Sequence, residues 1–262
     1  PPPFPNAPDY WFAPPERLTR GPGMNRFVWD LRYTHPRALP YNYYGALIDY
    51  TEYTLADHAI PGQTPRYQPQ GPLVLPGQYS VLLTVGGKQY RQPLEVKLDP
   101  RIHTPESALA KQLDLEKTIA NQMAISFDAF DQIRTLRSAL ADTRKSFTGQ
   151  TSPEGAPDIN VLLGALEQKL AAMAEGSRSE GGFGTVNRDL ARVATMVQSA
   201  DIEPPRTARD AAVESCKLLN RNLAGWRQVN SHDLPILNDM LKQLGSATLP
   251  TATAPQDQPC DN

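Results

Sequence analysis

Apolar and polar residues alternate over residues 24–33, and this alternation predicts a β-strand with one apolar face. That face would carry four residues: Phe27, Trp29, Leu31 and Tyr33. The opposite face would carry three: Val28, Asp30 and Arg32. A strand of this kind needs partners in a sheet, yet the residues before it are mostly proline, aromatic and turn residues. We therefore expect its partner strands to lie on polypeptide outside this chain.

A second alternating pattern predicts a β-hairpin over residues 76–98. One strand would run from Tyr79 to Val85, and the other from Tyr90 to Leu98. Gly86-Gly87 between them supplies the positive φ angles that a two-residue hairpin turn needs. Pro93 inside the second strand indicates an edge position or a break, because proline cannot donate to a β-ladder.

Beyond residue 100 the apolar residues recur every three or four positions, which predicts helices. Thr104-Pro105-Glu106 is a typical helix start, and that helix would extend to about Phe147. Three further helices are predicted at 159–174, 187–200 and 208–244. Pro235 should interrupt or restart the last one. Two long outer helices and two shorter inner ones indicate an antiparallel four-helix bundle.

Together these patterns predict an α+β protein of two domains. An incomplete immunoglobulin-like β-sandwich would occupy residues 1–100, the four-helix bundle 101–247, and a polar tail 248–262. The sandwich would be incomplete because such a fold needs about seven strands and the sequence supplies three. Its long Tyr/Pro-rich loop, about residues 34–75, has too many tyrosines for a solvated linker. We expect those tyrosines to pack against the sandwich or a neighbouring domain.

Composition and charge exclude several classes of function. The 262 residues carry a formal net charge of −2, which offers no electrostatic footprint for nucleic acid or an anionic membrane. No apolar run reaches the roughly 18 to 20 residues that span a bilayer. The opening PPPFPNAPDYWF has neither an initiator Met nor a signal peptide, which indicates a piece of a longer protein. We find no phosphate-binding glycine loop and no zinc or calcium motif, so no cofactor or metal is expected.

The two cysteines, Cys216 and Cys260, leave two possibilities open. A disulfide between them would pin the tail to the last helix in an oxidising compartment. Otherwise Cys216 would be a buried thiol and Cys260 a free one. Two cysteines are too few for a structural zinc site.

One short segment carries the residue types of acid–base chemistry: Asp49, Glu52, Asp57 and His58. A carboxylate pair beside an imidazole could serve general acid–base catalysis. The same side chains commonly bond loop backbone and cap turns, and this structural role is the interpretation that we favour.

Aromatic residues form a second candidate surface. Tyr10, Trp11 and Phe12 in the opening segment could stack on sugar rings, or could anchor an extended segment onto a neighbouring domain. Four tyrosines of the long loop could extend this contact surface: Tyr43, Tyr44, Tyr50 and Tyr53.

Several stretches of the chain also carry a family resemblance. They are PPPFPNAPDYWFAPPERL, GMNRFVWDLRY, YYGALIDYTEYTLADHAIPGQTPR and QGPLVLPGQYSVLLTVGGKQYRQPLEVKLDPR. These stretches resemble the C-terminal region of large secreted bacterial proteins whose main body is a β-propeller of the BNR/Asp-box type. Those propellers are similar to the sortilin and xyloglucanase types and are often described as glycosyl-hydrolase-like. The resemblance covers residues 1–145, and the later helices only in general pattern.

The resemblance implies a propeller upstream, followed by an immunoglobulin-like sandwich and a helical bundle. Glycosidase activity would belong to the propeller, and no Asp-box occurs here, so no catalytic residue is carried over. The resemblance also implies export to the periplasm, the cell surface or the medium, which agrees with a Cys216–Cys260 bridge.

The sequence therefore predicts a non-catalytic accessory or docking module of an exported β-propeller protein. Its partners would be the upstream propeller part, another subunit, or another copy joined by strand addition, with no nucleic acid and no membrane span. Two alternatives remain. The chain could belong to a glycan-active hydrolase whose catalytic propeller lies upstream, or it could be a carbohydrate-binding module.

Overall fold

The computed structural model describes residues 21–39, 70–147, 158–177 and 180–260. It is mostly helical, with 56% of its residues in helices and 11% in strands. The elements in chain order are β1 Gly77–Val85, β2 Lys88–Val96, α1 Glu106–Ser146, α2 Ile159–Glu175, α3 Phe183–Val197, α4 Arg206–Gln228 and α5 Leu234–Gln243. A π-helical turn, Val229–Asp233, joins α4 to α5, so these two elements form one long interrupted helix.

The predicted fold class is wrong. An α+β protein with an incomplete immunoglobulin-like sandwich before a four-helix bundle would need strands in two facing sheets. The described residues instead form a two-stranded antiparallel sheet, β1–β2, beside four helices. Strand pairing, rather than the alternation of side chains, decides whether a sheet exists, and pairing partners cannot be seen in the alternation itself.

The predicted strand at residues 24–33 is also wrong, because local hydrogen bonds turn the chain there. Trp29 donates from its indole nitrogen to the Arg32 carbonyl at 2.9 Å, and the Arg32 amide donates to Asp30 Oδ1 at 3.2 Å. Leu31 between them has a φ of 62°, which is incompatible with an extended strand. One isolated bridge, Arg32 to Leu73, is the pairing that this segment makes among the described residues.

The predicted hairpin is confirmed. β1 and β2 pair in antiparallel register from Gly77–Val96 to Val85–Lys88. Gly86 and Gly87 have φ angles of 55° and 79°, as expected for the two-residue turn whose twist matches the strands.

Pro93 does not break β2, because of its place in the ladder. The two-residue turn makes Val85–Lys88 a hydrogen-bonded pair, and such pairs alternate along an antiparallel ladder. Pro93, opposite Ser80, therefore falls at a position whose backbone nitrogen points away from β1. Its missing N–H removes no bond from the hairpin.

The four predicted helices are present with similar bounds. Asp158 caps α2 by accepting a bond from the Asn160 amide at 2.8 Å. The break expected at Pro235 is confirmed as the π-helical turn just before it. In an α-helix the Pro235 ring would clash with the Ser231 carbonyl, and the wider turn accommodates the ring.

The hydrophobic core lies among the helices. α1 packs against α2, α3 and α4, and the apolar stripes meet at fully buried residues such as Ile119, Ile133, Leu190, Leu219 and Trp226. No helix in the described ranges combines the length and apolar character needed to cross a bilayer.

Candidate functional site

The hairpin carries an exposed apolar surface. On one face, Val81, Leu83, Val85 and Tyr90 are 52%, 46%, 57% and 55% exposed. Isolated apolar residues are normal on a protein surface, but a contiguous apolar face marks an interaction site. An isolated two-stranded hairpin is also marginally stable by itself in water. We call this face, with the half-buried Tyr79 and Leu94 at its base, the hairpin face.

The register explains why these side chains share one face. Tyr79 lies opposite Leu94, Leu83 opposite Tyr90 and Val85 opposite Lys88. Directly opposed residues of an antiparallel pair project to the same side, and this side repeats every second residue. The other side of the sheet is more polar.

The base of the hairpin, around Tyr79 and Val96, packs against the segment that contains Trp29 and Tyr33. Val96 is buried, and Trp29 packs edge to face on Tyr79 with ring centroids 6.2 Å apart. The Tyr33 amide donates to the Pro72 carbonyl at 2.8 Å. A Cβ on Gly71 would lie 1.8 Å from the Tyr33 carbonyl oxygen, so only glycine allows this approach. The hairpin face therefore projects from an anchored base.

A cavity of about 160 Å³ lies where this base meets α1. The described lining is largely apolar and includes Leu31, Leu73 and Leu113, but the buried Glu116 also faces it. Gln112 donates from Nε2 to the Glu116 carboxylate at 3.2 Å. The cavity has room for water or a small ligand, and its polar lining includes Asp99 and Asp201 in addition to Gln112 and Glu116 of α1.

Burial raises the pKa of Glu116 to about 7. The hydrogen bond from Gln112, the charge of Arg32 and a bond from Gln198 oppose this rise but do not cancel it. Glu116 therefore changes charge near neutral pH at the junction between hairpin and helices. It is a functional candidate that the sequence analysis missed. Its signal was Gln112 one helical turn earlier, a partner that a buried carboxylate needs.

A second polar cluster lies beside the π-helical turn. Lys169 donates to Asp233 Oδ2 at 2.5 Å, and the His232 ring contacts Asp233 Oδ1 through Nδ1 at 3.0 Å. Partial burial would raise the pKa of Asp233, but the bonds from Lys169 and His232 hold it below its ordinary value. The cluster borders an apolar groove of about 260 Å³ between α2 and α5. The described lining of that groove includes no hydroxyl or thiol, so we find no nucleophile for the imidazole to activate.

A disulfide joins Cys216 and Cys260, with Cα atoms 5.6 Å apart. It fixes the tail along α4. Nearby, Asn220 accepts from the Gln258 amide and donates to the Gln258 carbonyl, both at 2.8 Å. The tail is thus part of the folded helical body.

The remaining predicted site residues lie outside the described residues. These are the aromatic candidates Tyr10, Trp11, Phe12, Tyr43, Tyr44, Tyr50 and Tyr53, and the acid–base candidates Asp49, Glu52, Asp57 and His58. The structure therefore leaves the proposed acid–base segment and the proposed sugar-stacking surface as predictions. Within the described ranges, no group of three or more potential ligands is close enough to hold a metal ion.

Comparisons with known protein-family models, with curated proteins and with solved structures gave no match to this chain.

Proposed function

We propose that this chain is a non-catalytic docking module whose hairpin face binds a β-rich partner body. The observation that carries the proposal is the exposure of Val81, Leu83, Val85 and Tyr90 on one face of an anchored hairpin. The partner would be the propeller part of the same exported protein or a separate subunit of it.

Covering this face would contribute favourable free energy to docking. Each of the four side chains is about half exposed, and burying that remaining half contributes roughly 1 kcal/mol per residue by the transfer scale. The entropic cost of binding is reduced because the strands are already paired and the turn is already formed.

Two further observations support the wider setting. The resemblance to the C-terminal region of secreted propeller proteins supplies a partner of the required type. The Cys216–Cys260 disulfide is compatible with an exported protein, since such bonds persist in oxidising compartments. No described residue favours a glycan hydrolase or a carbohydrate-binding module, whose proposed residues lie outside the described ranges.

Site-specific photo-crosslinking tests the proposal. A benzophenone amino acid replaces Leu83 on the hairpin face, and in a matched variant it replaces Gln89 on the opposite face of the same hairpin. Both variants are produced in the organism that makes the protein, and crosslinked peptides are identified by mass spectrometry. We expect the probe at position 83 to join a β-propeller polypeptide, either within one long chain or between subunits. The probe at position 89 should give at least tenfold less product.

A second variant, Leu83→Thr, keeps the β-propensity and removes apolar area. It should reduce recovery of the partner several-fold while the hairpin amides keep their protection from hydrogen exchange. The docking function is wrong if neither probe crosslinks to a propeller although the hairpin remains folded. Equal crosslinking from both faces would also contradict it.

A further inference from the structure

The two outer edges of the hairpin differ in their ability to accept another strand. In an antiparallel pair, residues at non-hydrogen-bonded positions point their N–H and C=O groups away from the partner strand. The register places four residues of β1 in this position: Gln78, Ser80, Leu82 and Thr84. It places four of β2 there as well: Gln89, Arg91, Pro93 and Glu95. Each edge therefore presents its own row of backbone groups.

The outer edge of β1 keeps all of its backbone donors and carries no charged residue. All four outward residues of β1 have an N–H group, and the strand sequence GQYSVLLTV contains no charged residue. Among the described residues, none of these four backbone amides or carbonyls has a hydrogen bond beyond the hairpin. Such an edge is a template for strand addition.

The outer edge of β2 is less able to pair with another strand. Pro93 removes the donor from the middle of its outward row, and Arg91 and Glu95 lie on either side of it. Lys88 begins the strand, and Lys97 follows its last residue, Val96. Proline and charged side chains are the features that protect natural sheet edges from pairing.

The apolar surface also favours β1. Of the exposed apolar residues on the hairpin face, Val81, Leu83 and Val85 belong to β1, and β2 contributes Tyr90. Gln92 and Lys88 interrupt the β2 side of the face. A strand added beside β1 would therefore continue the apolar surface, whereas one beside β2 would border polar groups.

We propose that β1, and not β2, accepts an extended strand from the partner, so that docking extends the two-stranded sheet by backbone hydrogen bonds. The occupant is an uncharged strand with alternating apolar residues, supplied by a β-rich body other than a second copy of this chain. Two copies paired through β1 would enlarge the exposed apolar face without covering it. A strand that belongs to a β-rich body brings with it the surface that covers the face. This inference rests on the proposed docking function and specifies its geometry.

The test uses the whole chain and a synthetic peptide. The probe is a capped, dye-labelled nine-residue strand of alternating threonine and valine, with a polyethylene glycol tail for solubility. Fluorescence anisotropy measures binding, and NMR hydrogen exchange measures each amide. We expect saturating peptide to slow exchange at least tenfold for the amides of Ser80, Leu82 and Thr84. Exchange at Gln89, Arg91 and Glu95 should not change.

Two variants give a matched control. Thr84 and Gln89 face each other across the sheet, and both point their backbone groups outward. Thr84→Pro and Gln89→Pro therefore remove one outward donor from each edge and no bond from the hairpin, as Pro93 already does. We expect Thr84→Pro to weaken peptide binding at least tenfold and Gln89→Pro to leave it unchanged. A peptide with N-methyl groups on alternate residues should not bind.

The wild-type exchange experiment keeps the inference falsifiable even if a proline variant misfolds. Protection along β2, or equal protection of both edges, would overturn the choice of edge. Failure of the peptide to bind a folded hairpin would overturn strand addition. In that case the crosslinks from position 83 would still report separately on the docking function. A wild-type chain that sediments as a dimer, and as a monomer when Thr84 is proline, would overturn the choice of occupant in favour of a second copy.

Discussion

Asn238 on α5 and Leu249 in the tail form a reciprocal pair of hydrogen bonds through one side chain. The Leu249 amide donates to Asn238 Oδ1 at 2.7 Å, and Asn238 Nδ2 donates to the Leu249 carbonyl at 3.0 Å. Both residues are buried. The Asn238 side chain therefore satisfies the buried N–H and C=O groups of Leu249, which have no partner in a helix or a sheet.

Asn238→Ala would leave the amide and the carbonyl of Leu249 buried without partners. We expect the free energy of unfolding to fall by about 2 to 3 kcal/mol. Urea unfolding measures this change, and NMR hydrogen exchange should show faster exchange of the Leu249 amide. Asp239→Ala, which removes an exposed side chain of the same helix, should change stability by less than about 0.5 kcal/mol. Equal effects of the two substitutions would contradict a special role for Asn238.

The disulfide should hold the far end of the tail. Because Cys216 and Cys260 are 44 residues apart, the chain-entropy account gives the bond up to about 4 kcal/mol of stability. A double Cys→Ser variant should therefore have a lower Tm by several degrees. Its Gln258 amide should exchange faster, while Leu249 keeps its protection through Asn238.

Reducing agent supplies the control for the disulfide. Dithiothreitol should lower the Tm of the wild-type protein to about that of the double variant and leave the variant itself unchanged. If reduction frees the whole tail, including Leu249, then the bond and the asparagine contacts act as one unit rather than as two separate anchors.

Glu116 predicts a pH dependence of stability. Its pKa in the folded protein is about 7, above the ordinary value of 4.5 that applies to the unfolded chain. The unfolded chain therefore releases this proton at lower pH than the folded protein does. The contribution of Glu116 to the free energy of unfolding should fall as pH rises from about 4.5 to 7, and then level off.

Glu116→Gln keeps an acceptor for Gln112 and removes the charge. At pH 8 we expect the variant to be more stable than the wild type by about 2 to 3 kcal/mol, and at pH 4 to be similar to it. Urea unfolding across this range measures the difference, with the exposed Glu106→Gln on the same helix as control. A difference that does not vary with pH would show that folding leaves the pKa of Glu116 at its ordinary value.

The helices and the hairpin could be predicted because their signals are local and repeated. The apolar period persists over the 41 residues of α1, and Gly86-Gly87 marks the hairpin turn by itself. The prediction of a strand at 24–33 is wrong, although the alternation there is as regular as that of β1. A turn around Leu31 competes with extension there, and a strand needs a paired neighbour that the alternation cannot reveal.

The asparagines that bind distant backbone could not be predicted. Asn220, Asn238 and Asn187 lie on helices where asparagine is ordinarily a solvated or weakly unfavourable residue. Their partners are more than ten residues away in each case, so neither period nor spacing reveals them.

The exposed hairpin face could be predicted only as a pattern. That its apolar side lacks a cover becomes apparent from the exposure of Val81 and Leu83 in the fold.

Asn187 attaches the end of the segment 21–39, whose Trp29 packs on Tyr79 of the hairpin, to the helices. Its Oδ1 accepts from the Leu39 amide at 2.6 Å, and its Nδ2 donates to the carbonyls of Arg37 and Met123 at 3.0 and 2.9 Å. Asn187→Leu should lower the free energy of unfolding by about 3 kcal/mol, because buried backbone groups lose their partners. Urea unfolding measures the loss, and hydrogen exchange at the Leu39 amide should accelerate.

A surface ion pair provides the comparison for Asn187. Arg37 also pairs with Asp128 on α1, but both side chains are about half exposed, so Asp128→Asn should cost less than about 1 kcal/mol. If the Asp128 variant loses as much stability as the Asn187 variant, charge rather than the buried amide holds the segment. If Asn187→Leu speeds exchange at Leu39 but leaves the core amide of Leu190 protected, the segment detaches as a local unit. Such a local unit would allow the hairpin base to shift when a partner docks. Loss of protection at Leu190 as well would show that the segment and the helices unfold together as one cooperative unit.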